Sequence, residues 1–282
     1  TPEDYVGDTK GTAGRAEGIF KDQSFLIEWN DEIALENLLS NHGNEIAAVI
    51  MEPVCVNGGS IMPKPGYLQR VRELCDKFGI VLIFDEIITG FRMGLGGAQG
   101  EYGVIPDITT LAKAMAGGGV PVAAIAGKKE IMQLLTNKKV IHAGTFNGYP
   151  LGTAAVLSTI KILERNNGIA YTEMKTQAKK IHSILTKLAD EEKFPLICQG
   201  PVTCGAYHCC SQELKHPSEY SSDIQIKDVI LNAAFQRNGI LVSSISRIYP
   251  NISLNDKDIK WFEERAGKAI REAKELITEL YE

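Results

Sequence analysis

The sequence lacks the features that would assign it to a membrane, secreted or nucleic-acid-binding class. It has no apolar run long enough to cross a bilayer and no signal-peptide pattern. It has no dense run of lysine or arginine, and its net charge is −5, so neither a membrane nor nucleic acid is an expected partner. Its six cysteines are spread unevenly over 282 residues, unlike those of a small disulfide-rich domain. We therefore expect a cytoplasmic globular protein with reduced thiols.

Two nucleotide-binding signatures are also absent. The segment VLIFDEIITGF, residues 81–91, ends an apolar run in acids, as a Walker B strand does. That interpretation requires a G-x-x-x-x-G-K-[ST] loop, which the sequence does not contain. The glycines within residues 94–100 do not form G-x-G-x-x-G either. An ATP-hydrolysing or dinucleotide-binding module is therefore discounted.

A segment rich in Cys and His, CGAYHCC at residues 204–210, could suggest zinc. It lacks the paired C-x-x-C spacing of structural zinc sites. Alternation along a strand would also send Cys204 and Cys209 to opposite faces. We predict no metal site there and expect small buried side chains instead.

The apolar runs predict an α/β architecture in the first part of the chain. Residues 46–51 and 80–84 are predicted strands buried on both faces, and residues 68–78 form a predicted helix between them. Pro65 near the start of that helix and Gly79 just past its end suit a helix with these bounds. Strand, helix and strand in close succession form a βαβ unit and predict a parallel sheet.

Further predicted strands at 108–111 and 120–126 and a predicted helix at 130–135 continue this α/β part. From about residue 149 the pattern predicts a second, α+β part, with strands at 196–207 and 240–242 and helices at 151–165, 171–192, 227–237 and 256–280, interrupted by a break at 166–168. We predict a large domain over residues 1–155, followed by a linker helix and a small C-terminal domain over residues 156–282.

Asp85 and Lys113 follow two predicted parallel strands, at the sheet edge where α/β proteins bind their ligands. A desolvated lysine has a lowered pKa and can attack a carbonyl. Pyridoxal 5′-phosphate (PLP) requires this pair, because the carboxylate keeps the pyridine nitrogen protonated and the lysine forms the Schiff base. Taken singly, Asp85 also suits a turn cap and Lys113 a surface side chain.

The segment from Glu52 to Gly119, which includes EPVCVNGG, FDEIITGFRMGLGGAQG and ITTLAKAMAGGG, resembles the class III aminotransferases. Within that family it is most similar to the glutamate-1-semialdehyde aminomutase branch, and the similarity is densest from Glu45 to Ala155. The resemblance implies a fold-type I PLP-dependent transferase, with a partial large domain of mainly parallel sheet and a smaller C-terminal α+β domain.

The resemblance also implies a reaction. An amino group would move between an amino acid or amine and a keto or aldehyde substrate, with PLP as cofactor. An intramolecular aminomutase is the alternative within the family. A catalytically silent fragment or scaffold domain of a larger synthase is the alternative from another class.

The resemblance implies roles for five residues. Lys113 would form the Schiff base and carry the transferred proton. Asp85 would pair with the pyridinium, and Ile87 would pack against the ring. Asn57 would lie near the cofactor, and Thr145, in HAGTFNGYP, would reach the PLP phosphate of the neighbouring subunit in a homodimer.

Two other positions keep alternative interpretations. Arg247, in SRIYPNISL, would bind a substrate carboxylate on the resemblance, or it is an exposed charge on a late strand. Glu52 occupies a family acidic position, or it caps a strand end. In the family, the phosphate-cradling loop and the aromatic residue that stacks on PLP lie upstream of the segment that matches residue 1. We therefore expect this sequence to lack much of the N-terminal half of the cofactor domain.

Overall fold

The elements of the fold come from a computed structural model, which describes residues 24–243 and 246–281. The start of the predicted large domain, residues 1–23, lies outside the described residues. The helices are α1 (Glu32–His42), α2 (Tyr67–Phe78), α3 (Gly97–Tyr102), α4 (Lys129–Thr136), α5 (Pro150–Glu192), α6 (Ser222–Arg237) and α7 (Asp256–Tyr281). The strands are β1 (Ala48–Met51), β2 (Val81–Asp85), β3 (Ile108–Leu111), β4 (Ala124–Gly127), β5 (Ile197–Gln199) and β6 (Ala206–His208).

Strands β1 to β4 form one sheet in the order β1-β2-β3-β4. The first three strands are parallel, as the βαβ pattern predicts, and β4 runs antiparallel to β3. Asp85, the last residue of β2, lies opposite Thr110 near the end of β3. The carboxyl ends of the two strands therefore meet at one edge of the sheet, and Lys113 follows directly after β3.

Helix α2 covers one face of this sheet. Its apolar residues recur at helical spacing, so Leu68, Val71 and Leu74 are buried on one side, where they join Leu82 and Phe84 of β2 in one core cluster. The helix ends at a glycine in the left-handed conformation, which ordinary residues adopt only with strain. These bounds match the predicted helix closely.

The prediction that β1 is buried on both faces is wrong. Ile50 in its middle is 65% exposed, while Val49 and Met51 pack against the core beneath α2. In β2 the burial also alternates, with Leu82 and Phe84 buried and the residues between them half-buried. The cause is that β1 is an edge strand among the described elements, with helices packed on one face of it.

The C-terminal region, defined here as residues 169–243 and 246–281, has a core of its own. The second half of α5 packs with α6, α7 and the β5-β6 pair around side chains such as Leu231, Phe235 and Ile270. The predicted break in α5 is confirmed, because residues 165–168 leave the helical conformation.

Two strand predictions in this region are wrong. The run at 196–207 divides into the antiparallel strands β5 and β6, because the chain turns at Gly200, whose φ is 86°. Residues 240–242 form no strand, and Leu241 is 93% exposed. Strand β6 instead forms an isolated bridge, in which Ala206 pairs with Arg247.

Candidate active site

Asp85 stands at the carboxyl edge of the sheet with its carboxylate oriented by two donors. Its Oδ1 accepts hydrogen bonds from the backbone N–H of Ile87, at 3.0 Å, and from the hydroxyl of Thr110, at 3.2 Å. The first bond is the turn-cap contact that the sequence also allowed. The second comes from the neighbouring strand and ties the carboxylate to the rest of the sheet edge.

Lys113 opens a short 3₁₀ helix immediately after β3, with φ at 48°. This left-handed conformation is strained for a residue with a side chain, and such strain concentrates at functional sites. The residue as a whole is exposed, yet partial desolvation of its amine and then the charge of Arg92 lower the pKa of Lys113. The carboxylates of Glu52 and Asp85 act in the opposite direction. Lys113 therefore lies in the field of both acids and of Arg92.

Arg92 is a site residue that the sequence analysis missed. Its guanidinium donates to the carbonyl of Ile88 at 2.8 Å and lies 4.5 Å above the ring of Tyr249. Burial lowers the pKa of Arg92. The available signal was a single cation between Phe91 and Met93, in a segment otherwise composed of apolar residues and glycine.

Glu52 holds a loop that we call the Asn57 loop, residues 55–61. Its Oε1 accepts from the side-chain amide of Asn57 at 2.8 Å, and its Oε2 accepts from the backbone N–H of Val56 at 3.1 Å. Burial raises the pKa of Glu52, the hydrogen bonds from Asn57 oppose this, and Asp85 adds to it. Glu52 therefore acts as a cap in this structure. Because Glu52 and Asp85 both act on Lys113, the contact with Glu52 also holds the exposed Asn57 close to this group.

Arg247 is buried, only 4% exposed, so its interpretation as an exposed charge is wrong. Its Nη2 donates to the carbonyl of Val56 in the Asn57 loop. The positive charge of Arg247 also lowers the pKa of Lys113, by less than that of Arg92 does. The structure thus brings Arg247 to the same site as Asp85 and Lys113, and its role towards a substrate carboxylate stays a prediction.

Thr145 and the CGAYHCC segment lie apart from this group. Thr145 occupies an exposed turn before α5, and no described contact joins it to Lys113 or Asp85. Cys204 and Cys209 are buried side chains. Within residues 24–243 and 246–281, no group of three or more His, Cys, Asp or Glu is arranged to hold a metal ion. Over the same residues, no helix has both the length and the apolar character that crossing a bilayer requires.

The chemistry of this site fits PLP. An amine with a lowered pKa suits the cofactor's aldehyde, and an oriented carboxylate suits its pyridine nitrogen. Ile87 is half-buried directly beyond Asp85 and offers an apolar surface at the same edge.

The chain matches a sequence model described as Aminotransferase class-III over residues 20–270. It is 45% identical over 180 residues to a glutamate-1-semialdehyde 2,1-aminomutase of Ignicoccus hospitalis, which covers 64% of this chain and 42% of the relative. It is 36% identical over 265 residues to the corresponding protein of Thermomicrobium roseum, with 93% and 61% covered. The chain thus spans about two fifths to three fifths of the length of these curated relatives.

Solved structures show the same fold. An omega-transaminase from Sphaerobacter thermophilus aligns with a TM-score of 0.84 at 26% identity, over 93% of this chain and 60% of the other. A glutamate-1-semialdehyde aminomutase from Pseudomonas aeruginosa aligns with a TM-score of 0.76 at 22% identity, over 94% and 62%. These neighbours are fold-type I transferases of mixed α/β architecture, and enzymes of this family depend on PLP. The chain belongs to the class III aminotransferases.

Proposed function

We propose that this chain is part of a PLP-dependent enzyme that moves an amino group between an amino acid or amine and a carbonyl substrate. The observation that carries the proposal is Lys113, a strained lysine of lowered pKa that follows β3 at the edge where Asp85 ends β2. A lysine that served only as an exposed surface charge would require neither the strained backbone nor the nearby carboxylates of Glu52 and Asp85.

Each residue of the site has a task that its contacts support. PLP, when bound, supplies the electron sink that stabilises negative charge on the substrate carbon. Asp85, whose carboxylate is oriented by Thr110 and by the Ile87 N–H, would hold a proton on the pyridine nitrogen. Lys113 would hold the cofactor through its amine, and the free amine would serve as the proton carrier.

An intramolecular aminomutase is the second candidate. The relatives described above are glutamate-1-semialdehyde 2,1-aminomutases, and they are more similar in sequence than the transaminase structure. A buried Arg247 that already donates to a backbone carbonyl also weakens the case for an ordinary transaminase clamp on a substrate carboxylate. Transfer of the amino group to an added keto acid favours the transaminase, and its retention within one carbon chain favours the aminomutase.

We also propose a cytoplasmic homodimer, in which Thr145 of one copy contacts the phosphate held by the other. The exposed position of Thr145 and of its apolar neighbours Phe146 (76%) and Leu151 (66%) supports a second copy on this face. A mixture of the Lys113→Ala and Thr145→Ala variants tests it, because a mixed dimer has one intact site. Light scattering that finds only monomers at assay concentration contradicts the proposal.

A domain division at residue 155 completes the proposal. Residues 1–155 would be the partial PLP-binding domain, and residues 156–282 the linker helix and small domain. The separate core of the C-terminal region supports this division. Limited proteolysis should then cut first between α4 and the second half of α5.

The chemistry is tested by incubation of the chain with PLP, borohydride reduction and peptide mass spectrometry. Adduct is expected at Lys113 and not at Lys128, because Asp107 raises the pKa of Lys128 through a 2.6 Å ion pair. Equal labelling of the two lysines contradicts a built site. Labelling of Lys113 without turnover of any amino donor would favour the catalytically silent fragment.

A further inference from the structure

The Asn57 loop is held from the C-terminal region by three side chains far from it in sequence. Arg247 donates to the Val56 carbonyl, as described above. The Gly59 carbonyl accepts from Gln199 Nε2 at 2.7 Å and from His208 Nε2 at 3.0 Å. Two carbonyls of one short loop therefore receive three donors.

His208 is fully buried on β6, and both of its ring nitrogens have a partner. Its Nδ1 lies 2.8 Å from Oδ2 of Asp228, which is also buried. A carbonyl oxygen can only accept, so Nε2 must carry a proton. The ring is thus oriented by Asp228 and aimed at Gly59.

Asp228 is itself fixed by other donors. Its Oδ1 accepts from the Cys209 backbone N–H at 2.7 Å, and its Oδ2 accepts from the Tyr220 hydroxyl at 3.0 Å. The carboxylate therefore links β6 to α6 and to the loop before α6. Through His208 this network ends on the Asn57 loop, which belongs to the candidate active site.

The backbone of the Asn57 loop is also restrained within the loop itself. Gly59 has φ at 115°, and a Cβ there would lie 3.3 Å from Leu214. Backbone bonds between Cys55 and Ile61, at 3.0 and 3.1 Å, close the loop at its base. A shift of the Gly59 carbonyl would therefore carry Asn57, two residues earlier, with it.

We propose that His208 is a positioning residue of the active site, which sets the Asn57 loop beside Lys113 by donating from Nε2 to the Gly59 carbonyl. The step from loop position to cofactor binding rests on the proposed function. The anchoring of the loop does not.

Two substitutions separate this role from simple pairing with Asp228. In His208→Gln the side-chain amide nitrogen can occupy the position of Nε2 and keep the bond to Gly59. In His208→Asn it can occupy the position of Nδ1 and keep only the bond to Asp228. The two variants carry the same functional group and differ by one methylene, so they are matched controls for each other.

Hydrogen exchange at the backbone amides of residues 55–61, measured on the 282-residue chain without PLP, reads the anchor directly. We expect exchange in His208→Asn to be about tenfold faster than in the unsubstituted chain, the effect of one lost buried hydrogen bond. In His208→Gln it should stay within about threefold. Tyr220→Phe, which removes a donor to Asp228 but leaves the Nε2 contact, should not change loop exchange.

The reverse order, with the loop protected in His208→Asn and not in His208→Gln, would mean that pairing with Asp228 is the whole role and would overturn the proposal. So would equal exchange in both variants. PLP affinity from absorbance titration should follow loop exchange, weaker by about tenfold in His208→Asn. If the unsubstituted chain gives no adduct at Lys113, the proposed function fails, while the exchange order still decides the role of His208.

Discussion

The C-terminal region and the sheet region, residues 24–149, differ in how far their strands and helices are buried. In the C-terminal region the helices α5, α6 and α7 enclose one core, in which Leu231 and Ile270 have no exposed surface. In the sheet region β4 is exposed along its whole length and α4 has no buried residue. The first region encloses its main core within the chain, although Leu241 stays exposed, and the second leaves β4 and α4 uncovered.

The candidate site lies on this uncovered side. Lys113 is exposed between β3 and β4, and Thr145 lies in the exposed segment before α5. Besides the core beneath α2, buried carboxylates order the sheet region. Glu86, fully buried, accepts hydrogen bonds from the Thr89 hydroxyl and from the N–H groups of Ala98 and Gln99. The exposed surface beside the candidate site is where the proposed second copy would lie.

The largest predicted effect comes from truncation of the C-terminal core. Phe235→Ala removes a 1% exposed ring that packs edge-on against Tyr207 at 5.5 Å, and it should lower the free energy of unfolding by about 3–5 kcal/mol. Ile125→Ala, on the exposed face of β4, should change it by less than about 0.5 kcal/mol. Urea denaturation measures both values.

Phe235→Leu gives a graded control if the alanine variant is largely unfolded. If Ile125→Ala lowered the free energy of unfolding as much as Phe235→Ala does, the contrast between the two regions would be wrong. It would mean that β4 is buried in solution, and a matching concentration dependence of the unfolding midpoint would assign the cover to a second copy.

The next effect concerns a polar network of the sheet region. Asp107, 6% exposed, accepts from Lys128 at 2.6 Å, from the Leu82 N–H at 2.7 Å and from Arg72 at 2.9 Å. Burial raises the pKa of Asp107, but these bonds outweigh it and lower the pKa below its usual 3.8. Asp107→Asn should cost about 2–3 kcal/mol of unfolding free energy.

The direction of the Asp107 pKa shift determines how the loss of unfolding free energy in Asp107→Asn depends on pH. Because the pKa of Asp107 is depressed in the folded chain, its contribution is present above pH 3.8 and is lost as pH falls towards the native pKa. Denaturation of both proteins at several pH values should show the difference shrink in acid. A difference that stays constant down to pH 2 would contradict the ion-pair explanation.

Elements with local signals could be predicted from the sequence. Helix α2 was bounded by Pro65 and Gly79, and the break in α5 by Asn166, Asn167 and Gly168, because these residues act on the backbone where they stand. The burial of β1 could not be predicted in the same way. An apolar run predicts what a strand can bury, and the elements that pack on it decide which face is buried.

The residues of the candidate site also differ in whether a local sequence pattern marks them. Asp85 and Lys113 were predictable because strand ends and glycines mark them. Arg92 was not, because its effect on Lys113 depends on the path of the chain beyond β2. The contact between His208 and Gly59 joins residues 149 apart, and no local pattern records it.

A smaller effect, on the reactivity of Lys113, is expected from substitution of Arg92, whose side chain contacts both regions. Arg92 lowers the pKa of Lys113 and stacks on Tyr249 of the C-terminal region. Arg92→Met should therefore raise the pKa of Lys113 and slow its acylation at pH 8 severalfold, up to about tenfold for each pKa unit. Trace acetylation with peptide mass spectrometry measures the rate at Lys113 relative to Lys128.

Arg92→Lys is the matched control, since it keeps the charge and loses the planar stacking. If it behaves like Arg92→Met, the packing against Tyr249 matters and the charge does not. Unchanged reactivity of Lys113 in both variants would show that partial burial alone sets its pKa.

The smallest effect, and one of opposite sign, is expected at Glu52. Glu52→Gln keeps an oxygen to accept from the Val56 N–H, and a flip of the Asn57 amide lets its oxygen accept from the new amide nitrogen. The substitution removes a charge that raises the pKa of Lys113, so Lys113 should react faster in the same acetylation assay. Burial raises the pKa of Glu52 itself above 4.5, so its contribution to stability is full below pH 4.5 and is lost as pH rises through the native pKa. Glu52→Gln lacks that loss and should be more stable at neutral pH, by no more than about 1 kcal/mol. Destabilisation that grows with pH would instead mean that the Glu52 charge is needed to hold the Asn57 loop.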